Sequence, residues 1–125
     1  MSGWRRTALE LFPDDAAAIA QENESGVISL LSDKLVRSLQ AAEYETAKRI
    51  VKFALWLSPH SKREESFVHS LHDLLKDSIT RPTLRSELWK VISASEFSIL
   101  GPVFSHVLQR DALTELEREH RFTVR

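Results

Sequence analysis

The 125-residue sequence contains no cysteine, so disulfides, thiol nucleophiles and cysteine-ligated metals are excluded. Glycine and proline are scarce, three and four residues respectively, which leaves few positions where a helix must stop. No apolar stretch approaches the ~18 residues of a membrane span. Arg5 and Arg6 resemble the basic start of a signal peptide, but Glu10, Pro13, Asp14 and Asp15 interrupt the next stretch before an apolar core can form. These absences predict a soluble, cytoplasmic protein with no membrane partner. A basic excess is lacking too: Lys and Arg number 17 against 18 Asp and Glu, a net charge of -1. Proteins that live on nucleic-acid phosphates carry a marked positive excess, so nucleic acid is not expected as a partner. There is no phosphate-cradling glycine loop, nucleophile elbow or kinase signature.

What is present favours helix throughout. Hydrophobic residues make up 42% and charged residues 28%, the balance of an ordinary globular domain. Ala, Leu, Glu, Lys and Arg dominate, all good helix formers. A single domain over 1–125 is long enough to bury about two-thirds of its unfolded surface. The punctuation predicts an all-α, single compact bundle of about six or seven short antiparallel helices, or α-solenoid-like helical hairpins.

Residues 1–26 read as short N-terminal helices. One runs from Gly3 to Phe12 and ends at Pro13; an Ala-rich helix opens with Asp14 and Asp15; Asn23 to Gly26 reads as a turn. Residues 27–57 read as the central hairpin. Val27, Ile28, Leu31, Leu35 and Leu39 form one apolar stripe. After a break at Ala42-Glu43, Ala47, Ile50, Val51, Ala54 and Leu55 form another, with Phe53, Trp56 and Leu57 on a second face. A helix apolar on two faces belongs at the centre.

Ser58-Pro59-His60 predicts a stop, and residues 62–120 the C-terminal helices. Ser61 with Glu64, and Ser93 with Glu96, have capping-box spacing. Phe67, Val68, Leu71, Leu74 and Leu75 form one apolar face, and Leu84, Leu88, Val91 and Ile92 another. Gly101-Pro102 predicts the sharpest boundary, with a last helix running from there to His120, slackening at Asp111, and a tail over 121–125. Ile50, Val51, Ala54, Leu55, Leu71 and Leu31 are the expected centre of the core.

Candidate chemistry is thin. His69 and His72 lie three apart, with Glu65 and Asp73 near them, but two-histidine zinc helices space their ligands four apart around a glutamate. Glu117 and His120 form one Glu-x-x-His pair, where di-iron bundles need two. No metal, cofactor or catalytic residue is expected, and no enzyme activity. Asp14, Asp15, Glu22 and Glu24 form an acidic stretch without Lys or Arg, with Glu43 and Glu45 at the next helix turn. The default reading is a solvated face; the sharper one is a docking surface for a basic protein. Trp89, one position off its helix's apolar stripe, is the expected partly exposed anchor, while Trp56 reads as core and Trp4 as folding back over the bundle.

Glu10-Leu11-Phe12-Pro13, Phe53-Ala54-Leu55-Trp56-Leu57 and Ser95-Glu96-Phe97 through Leu100-Gly101-Pro102 occur in that order. In order and spacing, from about Leu9 to Leu108, the chain resembles a family of small, uncharacterised, all-helical bacterial proteins. Their genes lie in polymorphic-toxin and contact-dependent inhibition loci. Where that family has a polar residue near the tryptophan and an aromatic-rich following helix, this chain has Leu57 and the His69/His72 pair. The resemblance implies an immunity protein that neutralises a cognate toxin by occlusion, its partner being the toxin domain encoded by a neighbouring gene. The net charge of -1 does not point to a nuclease target. The alternatives are an α-solenoid-like adaptor and a helical enzyme without a recognisable motif.

Overall fold

The computed structural model describes residues 3–60, 65–108 and 113–123. Of these, 89% are helical and none is in a strand, which establishes the all-α class. The described elements are eight α-helices, more than the six or seven expected. In chain order they are α1 (Gly3–Leu11), α2 (Ala16–Gln21), α3 (Glu24–Gln40), α4 (Tyr44–His60), α5 (Glu65–Thr80), α6 (Pro82–Trp89), α7 (Ala94–Val107) and α8 (Leu113–Thr123), with a 3-10 turn over Pro13–Asp15.

Several boundaries reflect local chemistry. The expected turn at residues 23–26 is instead the start of α3: the Asn23 side chain accepts from the Gly26 amide at 2.8 Å and caps the helix. At its far end the chain turns at Ala42, whose φ of 56° is the left-handed position that usually comes after a helix. Glu43 N donates to Ser38 O at 2.8 Å and closes that turn. The Ser93–Glu96 capping box forms reciprocally, Ser93 N to Glu96 Oε1 at 2.8 Å and Glu96 N to Ser93 Oγ at 3.2 Å.

α4 ends as described at His60, within the expected stop at Ser58-Pro59-His60. The other expected stop is not one. Gly101-Pro102 lies inside α7. Pro102 and Ser98, whose carbonyl loses the proline's missing N–H, are both exposed, so water is free to satisfy it. Gly101 serves packing rather than termination: a Cβ there would sit 2.9 Å from Leu113 Cδ1 and 3.1 Å from Phe97 Cε1, so its lack of a side chain lets α8 approach α7. The expected tail is also helical through Thr123, with His120 turned into the core. The Ser61–Glu64 capping box, the side chains of Phe67 and Val68, the slackening at Asp111 and the last two residues fall outside the described residues.

The core runs through most of the chain. Leu31, Ile50, Val51, Ala54 and Leu71 are buried as expected, and so are Phe53 and Leu57 on the second face of α4. Leu55 is only half-buried. Centrality is shared with α5, which packs against α3, α4, α6 and α7. The most extensive helix pairing is α3 with α5, and α7 in turn packs on α5. Each fully buried Leu or Ile in this layer contributes about 1.5–3 kcal/mol relative to an exposed one. Trp56 is half-buried beneath α1, its ring 3.1 Å from where a Gly3 Cβ would be. Trp4 packs against the core under the Arg5 guanidinium, 4.6 Å above its ring, so it does fold back.

Candidate binding groove

The N-terminal half of α4 carries Tyr44, Lys48 and Lys52 at successive turns, i, i+4 and i+8, so they form one stripe. Opposite lies the α6–α7 junction, where Glu87, Lys90 and the capped start of α7 face the stripe. The Tyr44 hydroxyl donates to Glu87 Oε2 at 2.7 Å, and Lys90 Nζ donates to Glu87 Oε1 at 2.9 Å. Through the Tyr44 bond Glu87 ties the α6 wall to α4, and Lys90 on its own wall holds the carboxylate in place.

On one side of this bridge is a cleft of about 400 Å³ lined by Leu39, Gln40, Ala42, Tyr44, Arg81, Thr83, Leu84 and Glu87. The strained Ala42 turn is part of its rim, and non-glycine residues in that conformation cluster where a surface is used. On the other side is a cleft of about 540 Å³, lined by Lys48, Lys52, Lys90, Val91, Ile92, Ser93, Ala94 and Glu96. Val91 and Ile92 are buried and form an apolar floor, and the three lysines stand exposed around it.

Electrostatics couple the bridge. The hydrogen bond to Glu87 raises the Tyr44 phenol above its ordinary value, since the carboxylate holds the proton and repels the phenolate. Hydrogen bonds from Lys90 and then Tyr44 lower the Glu87 carboxyl. The bond to Glu87 raises Lys90. The ring keeps its proton and the carboxylate stays charged at neutral pH. Glu96 is engaged in the capping box, and Lys48 reaches Glu45 only loosely, at 3.9 Å.

The acidic residues singled out in the sequence are divided by the fold. Asp14, Glu22, Glu43 and Glu45 are exposed, and Asp15 and Glu24 half-buried. The stretch free of base in sequence is not free of it in space. Lys34 from α3 pairs with Asp15 at 2.8 Å, and Arg5 from α1 donates to the Glu22 carbonyl at 2.8 Å and the Ile19 carbonyl at 3.3 Å. The Glu22 side chain lies back over Gly26 in the first turn of α3, where the helix dipole favours an acid.

Trp89 is not a partly exposed anchor. It is fully buried, because α7 and α8 close over the end of the short α6. Its indole meets Phe97, Phe104 and His120 edge-on, at centroid distances of 5.4, 5.2 and 5.6 Å, and Nε1 donates to Glu119 Oε1 at 2.9 Å. Arg85 Nε donates to the same oxygen at 3.0 Å, and its Nη1 to the Ile79 carbonyl at 3.0 Å.

Among the described residues the histidines do not gather around a common point. His69 is exposed, while His72 lies edge-on to His106 of α7 at 6.0 Å, a cross-helix neighbour that sequence spacing does not reveal. Among the described residues no three His, Cys, Asp or Glu side chains are placed to hold a metal ion. Glu117 and His120 diverge: Glu117 pairs with Arg121, and His120 Nε2 meets the Ile92 carbonyl at 2.5 Å beneath a stacked Phe97. No described helix is long and apolar enough to cross a membrane.

No protein-family model, curated protein or solved structure matches the chain.

Proposed function

We propose that this chain is a protein-binding module of the bacterial cytoplasm, an immunity protein that occludes a toxin domain encoded by a neighbouring gene. The observation that carries the binding role is the lysine-rimmed groove, with Lys48, Lys52 and Lys90 around the buried Val91–Ile92 floor. Charges fixed on helices around a cleft favour recognition of a protein surface, because they supply orientation and encounter rate. The resemblance to proteins of toxin loci supplies the partner. Occlusion requires no catalytic group, only a surface held in place, and the Tyr44–Glu87 bond ties the two walls of this one together.

A second reading, the solenoid-like adaptor, draws on one observation: α3, α5 and α7, alternate in the chain, pack in succession on one another. Such succession supports a layering of stacked helical hairpins. The experiment that separates them is co-expression with the toxin domain of the adjacent gene. Restored growth and a stoichiometric complex on gel filtration support immunity. A complex without restored growth favours the adaptor, and no complex overturns the immunity role.

A further inference from the structure

We propose that the groove between α4 and the α6–α7 junction docks an acidic segment of the partner, with carboxylates two residues apart in an extended chain seated on Lys48 and Lys52. This inference rests on the binding role proposed above and specifies its chemistry. Lys48 and Lys52 are one helical turn apart, about 6 Å along the axis of α4. Side chains two residues apart in an extended segment are about 6.6 Å apart and point the same way. The two spacings match, so two carboxylates of one strand-like segment meet two ammonium groups without either chain bending.

The remaining parts of the groove suit the same ligand. Lys90 stands on the opposite wall with its charge already paired to Glu87, which leaves Lys48 and Lys52 as the charges that meet the ligand. Ala94, exposed at the start of α7, offers apolar contact to whatever lies between the carboxylates. The positive end of α7 faces the same space, although its cap is already occupied by Ser93 and Glu96. Nucleic acid fits less well. The lining of the groove includes no aromatic ring on which a base could stack, and it includes the Glu96 carboxylate, which repels phosphate. The sign of this surface is opposite to that of the acidic stretch at Asp14 to Glu24, so the partner it selects carries acid rather than base.

The test uses the full chain, labelled with nitrogen-15, and three probes: an acetylated and amidated Glu-Ala hexapeptide, its Gln-Ala counterpart, and hexauridylate. The expected result is amide shifts at residues 48–52 and 90–96 with the Glu-Ala peptide alone, at roughly millimolar affinity in low salt and fading above ~0.15 M salt. Lys48→Glu with Lys52→Glu should weaken that binding by about tenfold or more at an unchanged melting temperature. Should that variant unfold, Lys48→Gln with Lys52→Gln gives the same reading. Equal shifts with the Gln-Ala peptide, larger shifts with hexauridylate, shifts elsewhere, or none would each overturn the inference. If the toxin complex forms while the peptide does not bind, the acidic-segment inference fails and the binding role stands. If the peptide binds and no toxin complex forms, the groove chemistry stands and the immunity role fails.

Discussion

The Trp89 indole donates its Nε1 proton to Glu119 at 2.9 Å, and the same oxygen accepts from Arg85 at 3.0 Å. That one carboxylate ties α8 to α6, and through the Arg85 contact with Ile79 O, to the end of α5. It also explains how a large polar-tipped ring is fully buried at the end of a short helix: its single donor is satisfied.

Truncation of this ring therefore has a stability cost, not a binding one. Trp89→Ala should destabilise the chain by about 3–5 kcal/mol, the range for large aromatic residues in a core. Urea denaturation measures it. A midpoint within error of the parent would show that Trp89 does not hold α7 and α8 over α6.

The Ala42 turn predicts a gain. A non-glycine residue in the left-handed region costs about 1–2 kcal/mol, partly offset because glycine adds freedom to the unfolded chain. Ala42→Gly should raise stability by about 0.5–1 kcal/mol and the melting temperature by roughly 1–4 °C. A drop in melting temperature would mean that the Ala42 methyl makes contacts that outweigh its backbone strain.

Tyr44 is the chain's single tyrosine, so phenolate absorbance near 295 nm reports it alone. Its titration midpoint should lie above the ordinary value of about 10. Glu87→Gln should move it back towards that value. A midpoint that Glu87→Gln leaves unchanged would contradict the bridge.

The same bridge sets a pH window. Glu87 is lowered, so its contribution is present above the unfolded carboxyl value near 4.3 and lost as pH falls through the folded value. Lys90 and Tyr44 are raised, so theirs is present below roughly pH 10 and lost as pH rises through their folded values. Melting temperatures of the parent and Glu87→Gln should differ most between about pH 5 and 10 and converge outside it. A difference that grows at the extremes would contradict this sign.

Local signals are legible in the sequence. The Ser93–Glu96 box, the break at Ala42-Glu43 and the two-faced apolar pattern of α4 each depend on neighbours within a turn or two, and each forms. Gly101-Pro102 reads as a boundary because local chemistry alone favours one, whereas packing of Leu113 and Phe97 against Gly101 decides its role. The acidic stretch looks free of base because Arg5 and Lys34, which meet it, lie outside it in sequence. The groove is not legible at all. It joins Lys48 and Lys52 to residues 90–96, about forty positions away, and only the packing of α4 and α6–α7 brings them together.

Two surfaces of opposite sign are thus available, and one measurement on the complex with the adjacent-gene toxin domain chooses between them. Association rates are to be measured by stopped flow against ionic strength for the parent chain, for Lys48→Glu with Lys52→Glu, and for Asp14→Lys with Glu22→Lys. Because exposed charges act mainly on encounter, reversal on the surface in use should slow association by about tenfold at low salt and flatten or invert its salt dependence. A lysine-rimmed docking groove predicts that loss for the lysine pair and a near-parental rate for the acidic pair. Slowing by the acidic reversal, with the lysine reversal inert, would contradict it.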